Sequence, residues 1–280
     1  MKIIAESGAT KTDWRLVTDE GQVRNASTAG LNPSVTDART MNGIVGAAIR
    51  ELNPEGRMPD AVYFYGAGIV DETAAAPLYD IFTMWCPFSR PEFHSDMLAA
   101  ARALFGDGSG VVAIMGTGSN SCLYENGRIV RNIRPGGFIL GDEGSGAALG
   151  KAFISDYIKG LVPQHVGKEF AAAFSLDYQD IVKKVYREPA PSAFLASFAP
   201  FLLDRSDDAY IAGLVEENAE AFVRRSLSRY RSSGSVEVGV VGSFGCACES
   251  VLREVGFRYG LEFSDFLKSP IDRLVEYHTR

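Results

Sequence analysis

Cysteine is scarce in this chain: Cys86, Cys122, Cys246 and Cys248 are its only four among 280 residues. So few cysteines in so long a chain exclude a disulfide framework. Cys246 and Cys248 form a C-x-C pair with no second cysteine or histidine pair nearby, which argues against a zinc or iron–sulfur site. Histidine is rarer still, and His94, His165 and His278 show no metal-ligand spacing. No apolar run approaches the roughly 18 residues that a membrane span needs. The N-terminus enters a strand-like run directly, with no basic segment, long apolar core and cleavage site. A reduced, cytoplasmic setting is therefore expected, in which the Asn25-Ala26-Ser27 sequon has no meaning. Positive charge is not in excess either. The net charge of −7 speaks against an extended nucleic-acid footprint. Neither nucleic acid nor membrane is expected as a partner.

What is present is a soluble, globular composition, 46% hydrophobic and 22% charged, able to bury a sizeable core. Its most informative feature is a hairpin pattern written twice, over Lys2 to Asn25 and over Val111 to Asn132. Each copy opens with an apolar run that reads as a buried strand. A small-residue turn follows, Gly8-Ala9-Thr10 or Gly116-Thr117-Gly118-Ser119. The chain returns as a second strand, turns at Glu20-Gly21 or Asn126-Gly127, and starts a third strand ending in Arg-Asn. Small residues at the first turn let backbone N–H groups approach an anion closely. Two such turns facing each other across a cleft would hold a polyphosphate.

Helical apolar spacing covers Thr36 to Leu52 and stops at Asn53-Pro54-Glu55-Gly56. Ala61 to Tyr65 reads as a short buried strand, and Thr73 to Met84 and Asp96 to Phe105 as helices. The glycine-rich run Gly106 to Gly110 marks a boundary between domains at 1–107 and 108–280. The second half repeats the three strands and turns helical from Gly146 to Arg231. Val236 to Val241 reads as a buried strand, followed by a helix near Cys246 to Val255 and a last strand over Phe257 to Phe263. Ser269 as N-cap and Pro270 at N1 predict a terminal helix over 270–280, which could pack back on the first domain. The fold class is α/β, two related domains around a cleft.

Glu6 stands at the carboxyl end of the first strand, where ligand sites of such sheets gather. Thr10 and Thr12 hydroxyls and the turn amides could donate to phosphate, with Lys11 adding charge or facing solvent. An ordinary Gly-Thr hairpin is the bland alternative. In the second turn Gly116 and Gly118 permit unusual backbone angles, and Thr117, Ser119 and Asn120 are polar. The stretch Gly136 to Gly146 is dense in glycine and carries adjacent carboxylates, Asp142 and Glu143. A helix starts near Gly146; Asp142 or Glu143 could cap it, or an anion could bind there. Ser145 to Ala152 misses the Walker loop, because its first Gly is Ser145 and Ala152 replaces Ser/Thr. Asp96 sits as an N-cap or first-turn residue, the favoured reading from periodicity, with a general base as the functional one. Gly242-Ser243-Phe244 ends a strand in a tight turn that could seat adenine or ribose. Phe198, Phe201 and Leu202, and Leu214, Phe222 and Leu227, read as core.

Together these pieces resemble the sugar kinase/actin ATPase superfamily, and within it the N-acetylglucosamine kinase and BadF/BadG/BcrA/BcrD-type ATPase group. The resemblance covers essentially the whole chain. Glu6 to Asp13 matches the first phosphate motif, Ile114 to Asn120 the second, and Val240 to Phe244 the adenosine motif. Gly141-Asp142-Glu143-Gly144-Ser145 matches a segment typical of N-acetylglucosamine kinases. Asp96 falls at the position of the catalytic aspartate, which turns the balance from cap to base. Glu6 stands where most members carry Asp, and Gly136 lies where animal sugar kinases have a tryptophan.

The resemblance implies two actin-like, ribonuclease H-like domains flanking a nucleotide cleft. It implies phosphorylation of an amino sugar by ATP, N-acetylglucosamine at its C6 hydroxyl, or of a related sugar such as glucosamine or N-acetylmuramic acid. ATP phosphates fall to Gly8, Thr10, Lys11, Thr12, Gly116, Thr117, Gly118 and Ser119, and adenosine to Gly242, Ser243 and Phe244. The sugar falls to Asn32, Gly66, Ala67, Asp96, Thr117, Asn120 and Asp142, and magnesium to Glu6 through water. A homodimer is compatible with the group. The competing implication is an ATPase that activates a partner enzyme of the acyl-CoA dehydratase type. A non-catalytic sugar or nucleotide sensor is the third; the presence of Asp96 and both turns speaks against it.

Overall fold

The computed structural model describes residues 1–8, 10–231 and 236–280. Ala9, in the first small-residue turn, lies outside the described residues. The chain divides into two compact units. One comprises residues 1–108, 126–128 and 269–280; the other comprises 109–125 and 129–268.

The first unit opens with β1 (Lys2–Ser7), β2 (Lys11–Val17) and β3 (Val23–Ala29), joined as antiparallel hairpins. Helix α1 (Ala38–Leu52) follows, capped by Asp37, whose carboxylate accepts from the Thr40 amide. Then come β4 (Ala61–Gly66), α2 (Glu72–Trp85), β5 (Arg90–Ser95) and α3 (Asp96–Phe105). The strand order is β3-β2-β1-β4-β5, with β4 and β5 parallel to β1. β5 carries no clear apolar alternation (Arg-Pro-Glu-Phe-His-Ser) and is not legible as a strand. The core gathers under Trp14, which is fully buried against Phe64 and Phe82 and donates its indole N–H to the Thr28 hydroxyl at 2.9 Å.

The second unit repeats the plan with β6 (Gly110–Met115), β7 (Ser119–Glu125) and β8 (Arg128–Ile133). Both third strands run beyond the expected Arg-Asn ends, to Ala29 and Ile133. A one-turn helix α4 (Gly137–Leu140) precedes α5 (Gly146–Ile158). The expected helical stretch is cut into α6 (Gln164–Phe174), α7 (Tyr178–Tyr186), α8 (Pro191–Ala196), α9 (Ala199–Leu203) and α10 (Ala209–Arg225), then a 3₁₀ turn over Leu227–Tyr230. β9 (Val236–Val241), α11 (Ser243–Ala247), α12 (Glu249–Arg258) and β10 (Leu261–Leu267) complete the unit. Its sheet order, β8-β7-β6-β9-β10, copies that of the first unit strand for strand. Phe153, Phe170, Phe198 and Phe222 anchor its core; of the helical residues expected to be core, Phe198, Phe201, Leu202, Phe222 and Leu227 are buried, and Leu214 is half-buried against them.

Two boundaries differ from expectation. Phe257 belongs to α12 and is exposed; Gly260, at φ 67, ends that helix and β10 starts only at Leu261. In the terminal helix α13 (Ile271–Thr279), Pro270 and not Ser269 holds the N-cap place, because its carbonyl already accepts from the Leu274 amide at 3.0 Å. α13 packs on α3 and β1 of the first unit. His278 stacks on Tyr63 at 3.7 Å and bonds the Tyr65 hydroxyl at 2.7 Å, to which Arg102 of α3 also donates at 2.6 Å. Burial, then the Arg102 charge, push His278 down to about 4, so the contact is made by a neutral ring. Among the described residues no helix is long and apolar enough to cross a membrane.

Candidate active site

In the first unit the register sets Ser7, Gly66 and Ser95 side by side at the carboxyl ends of parallel strands. Glu6 pairs with Asp13 across the β1–β2 hairpin, and Asp96 follows directly on Ser95. Three carboxylates thereby share one end of the sheet. Burial, then the Asp96 and Asp13 charges, raise Glu6 to about 7. Lys11, which pairs with Asp13 at 2.8 Å, opposes the rise only in part. Burial likewise raises Asp96, against the pull of backbone N–H groups at the start of α3. The helix cap is not Asp96 but Ser95, whose hydroxyl accepts from the Leu98 amide at 3.2 Å. That leaves Asp96 at the first helical position, where Oδ1 accepts from the amide of its neighbour Met97 at 2.8 Å.

The candidate sugar residues of this unit come together. Ser7 Oγ donates to Leu31 O at 2.9 Å and Ala67 N donates to Ser7 O at 3.1 Å, tying residues 31 and 67 to the end of β1. Asn32 Oδ1 accepts from Ser34 N at 2.9 Å, and Ser34 Oγ donates to Gly68 O at 3.1 Å. Not every sequence candidate faces outward. The Thr12 hydroxyl is buried and donates to Ala29 O at 3.0 Å, with Ser7 Oγ 2.8 Å away. Its side chain is committed to the hairpin and drops from the phosphate set. Thr10 is exposed, Lys11 largely so, and the Gly8 amide closes the turn onto Lys11 O at 2.9 Å.

In the second unit, β6 and β9 run parallel with Ile114 beside Val241, so Gly116 and Gly242 leave the sheet as neighbours. Gly242 lies at φ 125, and a Cβ there would stand 2.2 Å from Met115 O. Only glycine permits this approach of the two turns. A cavity of about 350 Å³ opens beside them, lined by Gly116, Thr117, Gly146, Ser243 and Phe244. Its volume falls at the lower end of small-molecule sites, about 300 to 1,000 Å³. The opposite wall comes from α8, α9 and the residue after them: Ala196, Ala199, Pro200, Leu203 and Asp204. Sequence reasoning missed this wall. The signal was there in the helical period: Phe198, Phe201 and Leu202 turn to the core, and the intervening small residues turn to the cavity. A larger cavity, about 470 Å³, lies beside Arg231, Arg253 and Phe257, but both guanidiniums are engaged, by Tyr259 O and Glu249.

Asp142 is buried beside the second turn, at φ 58, a left-handed angle unusual for a residue with a side chain. Burial raises its pKa; a backbone hydrogen bond from Ser119 and the Lys151 charge work the other way. The cap of α5 is Ser145, whose hydroxyl accepts from Ala148 N at 3.1 Å, so neither Asp142 nor Glu143 serves as the cap. Glu143 instead pairs with Arg225 at 2.7 Å. The Ser119 hydroxyl donates to Glu143 O at 2.7 Å and is thereby occupied. Asn120 Oδ1 accepts from Ser121 N and from Asn132 Nδ2, both at 2.9 Å.

Among the described residues no three His, Cys, Asp or Glu side chains form a direct metal cage. The residues do fit a hydrated divalent cation: Glu6, Asp13 and Asp96 stand together, and burial makes the charge of Glu6 and Asp96 costly. The cysteines offer no comparable site. Cys86, Cys122 and Cys248 are buried, and burial pushes their thiols up to about 11, 12 and 12, away from the thiolate that binds metal.

A family model described as the BadF/BadG/BcrA/BcrD ATPase family matches residues 6–166, more than half of the chain. The chain belongs to the BadF/BadG/BcrA/BcrD ATPase family. The match begins at Glu6 and includes both small-residue turns, Asp96 and the Gly141–Ser145 segment. Among solved structures, this family member is similar to a protein of Porphyromonas gingivalis provisionally named an N-acetylglucosamine kinase. The two are 36% identical with a TM-score of 0.93, over 99% of this chain and 98% of that one. A Chromobacterium violaceum protein with the same provisional name has 20% identity and a TM-score of 0.77, over 99% and 98% of the two chains. A ROK family glucokinase from Streptomyces griseus, solved with glucose and AMPPNP, has 17% identity and a TM-score of 0.61, over 99% and 97%. These last two likenesses show a shared fold alone. No curated protein matches the chain.

Proposed function

We propose that this ATPase-family protein is a sugar kinase, moving the γ-phosphoryl group of ATP to the C6 hydroxyl of N-acetylglucosamine or a closely related amino sugar. The carboxylate at the β5–α3 junction carries the reading. Asp96 is half-buried and raised in pKa by that burial, the condition of a general base. The full-length likeness to the Porphyromonas gingivalis protein supports the choice of sugar.

Phosphoryl transfer depends mainly on positioning and charge neutralisation. In this reading Asp96 accepts the proton of the attacking hydroxyl. Asn32, Gly66, Ala67, Thr117, Asn120 and Asp142 orient the sugar; a buried carboxylate such as Asp142 accepts from a hydroxyl donor. Thr10, Lys11, Thr117 and Gly118 receive phosphate oxygens, while Gly8 and Gly116, whose amides are given to Lys11 O and Gly118 O, serve by leaving room for them. Gly242, Ser243 and Phe244 hold adenosine, and the α8–α9 wall extends that seat. Glu6 would hold a bound magnesium ion through water, and the ion would supply neutralisation of the phosphate charge. Glu6 must then be ionised, which the cation itself favours. ADP release measured against a panel of hexoses, amino sugars and N-acetylated sugars, with a no-sugar control, tests the function. Sugar-dependent release is expected.

A further inference from the structure

The geometry points to Asn218 of α10 as a positioning residue for the acceptor-side carboxylate Asp142, an inference that rests on the kinase reading. Asn218 lies outside every motif in the sequence. Its side-chain amide makes two bonds to successive residues of the Gly141–Ser145 loop. Gly144 N donates to Asn218 Oδ1 at 2.9 Å, and Asn218 Nδ2 donates to Ser145 O at 3.1 Å. The amide stands in for a neighbouring strand, satisfying one donor and one acceptor of a loop that has no sheet partner.

Two further residues of α10 share the task. Phe222 and Arg225 follow Asn218 by one and two turns, on the same helix face. Gly144, at φ 77, lies so close to Phe222 that a Cβ built on the glycine would stand 2.6 Å from Phe222 Cβ. Arg225 Nε pairs with Glu143 Oε1 at 2.7 Å. Glu143, Gly144 and Ser145 are thus each held by α10. Immediately before them stands Asp142 in its left-handed conformation, which needs such surroundings to persist. Immediately after them, Gly146 N and Ala147 N donate to Gly116 O and Thr117 O at 2.9 and 3.1 Å. The loop held by Asn218 therefore links the acceptor carboxylate to the proposed phosphate turn.

Asn218→Asp tests the role with little change of shape. When ionised, the carboxylate introduced by this substitution would keep the acceptor for Gly144 N and lose the donor to Ser145 O. When protonated, it offers both, like the amide. We expect sugar kcat/KM at pH 8 to fall at least about tenfold, the scale of one lost buried hydrogen bond, chiefly through sugar KM. The ratio of variant to wild type should recover as pH falls and the new carboxyl protonates. The other charges around the loop, Asp142, Glu143 with Arg225, and Lys151, are common to both proteins and divide out of that ratio. A ratio that is flat with pH, or equal to one at pH 8, would overturn the inference. Hydrogen exchange gives a readout independent of activity. In Asn218→Ala, amides of residues 142–147 should exchange at least about tenfold faster while β6 and β9 are unchanged, as for a local opening. Unchanged exchange there also overturns it. If the wild type phosphorylates no sugar, the kinase reading fails separately, and the exchange result still decides whether Asn218 holds the loop.

Discussion

Gly118 leaves no room for a side chain beside Asp142: a Cβ built on the glycine would stand 3.0 Å from Asp142 Oδ2. The proposed phosphate turn and the proposed sugar-binding carboxylate are therefore packed as one piece. Sequence reading assigns the absence of a side chain at Gly118 to room for phosphate alone. The contact adds a second consequence. Gly118→Val should weaken ATP binding and also raise the sugar KM, each by about tenfold or more, since a displaced carboxylate loses a charged hydrogen bond. Calorimetry of both ligands on the folded variant checks this; loss confined to ATP would show that Asp142 does not move.

Asp142→Ala should lower sugar kcat/KM by roughly 10- to 150-fold, the loss of about 1.5–3 kcal/mol from a charged hydrogen-bond partner. Because Ser145 caps α5, no cap is lost, and thermal melting should stay close to wild type. A large fall in melting temperature with unchanged sugar kinetics would make Asp142 a structural residue.

Asp96→Asn should reduce kcat by at least about 10²-fold, the scale of a general base, with ATP affinity retained. Ser95 still caps α3, so the fold should survive. Near-normal turnover would remove Asp96 from the chemistry.

Glu6 ties stability to pH. Folding raises its pKa from an ordinary 4.5 to about 7. The folded state thus holds the proton more tightly than the unfolded chain. The stabilisation is fully present below about pH 4.5 and disappears as pH rises through about 7. At most about 3 kcal/mol is involved, at about 1.36 kcal/mol per unit. Glu6→Gln, without magnesium, should melt higher than wild type at pH 8 and equally near pH 4. Millimolar magnesium should raise the wild type more than the variant. Parallel melting curves at all pH values would place Glu6 outside the carboxylate cluster.

Much of the fold was legible because the physics was local. Apolar runs broken by small-residue turns marked β1, β2, β6 and β7, and their repetition pointed to two related halves; the strand order itself comes from the structure. β5 was illegible because its residues are polar and only its place beside β4 makes it a strand. The site divides in the same way. Glu6 and the glycine turns stand at ends of legible strands, and Asp96 at a legible helix start. The commitment of the Thr12 and Ser119 hydroxyls could not be read, since their partners Ala29 and Glu143 are chosen by the fold. Asn218 and the α8–α9 wall reach the site from helices that carry no motif.

The most direct measurement is the stoichiometry of ADP release with N-acetylglucosamine. Wild-type protein with ATP and magnesium should release ADP only when the sugar is present, with one N-acetylglucosamine 6-phosphate formed per ADP. ADP release independent of every sugar in the panel, or dependent on an added protein partner, would contradict the kinase reading.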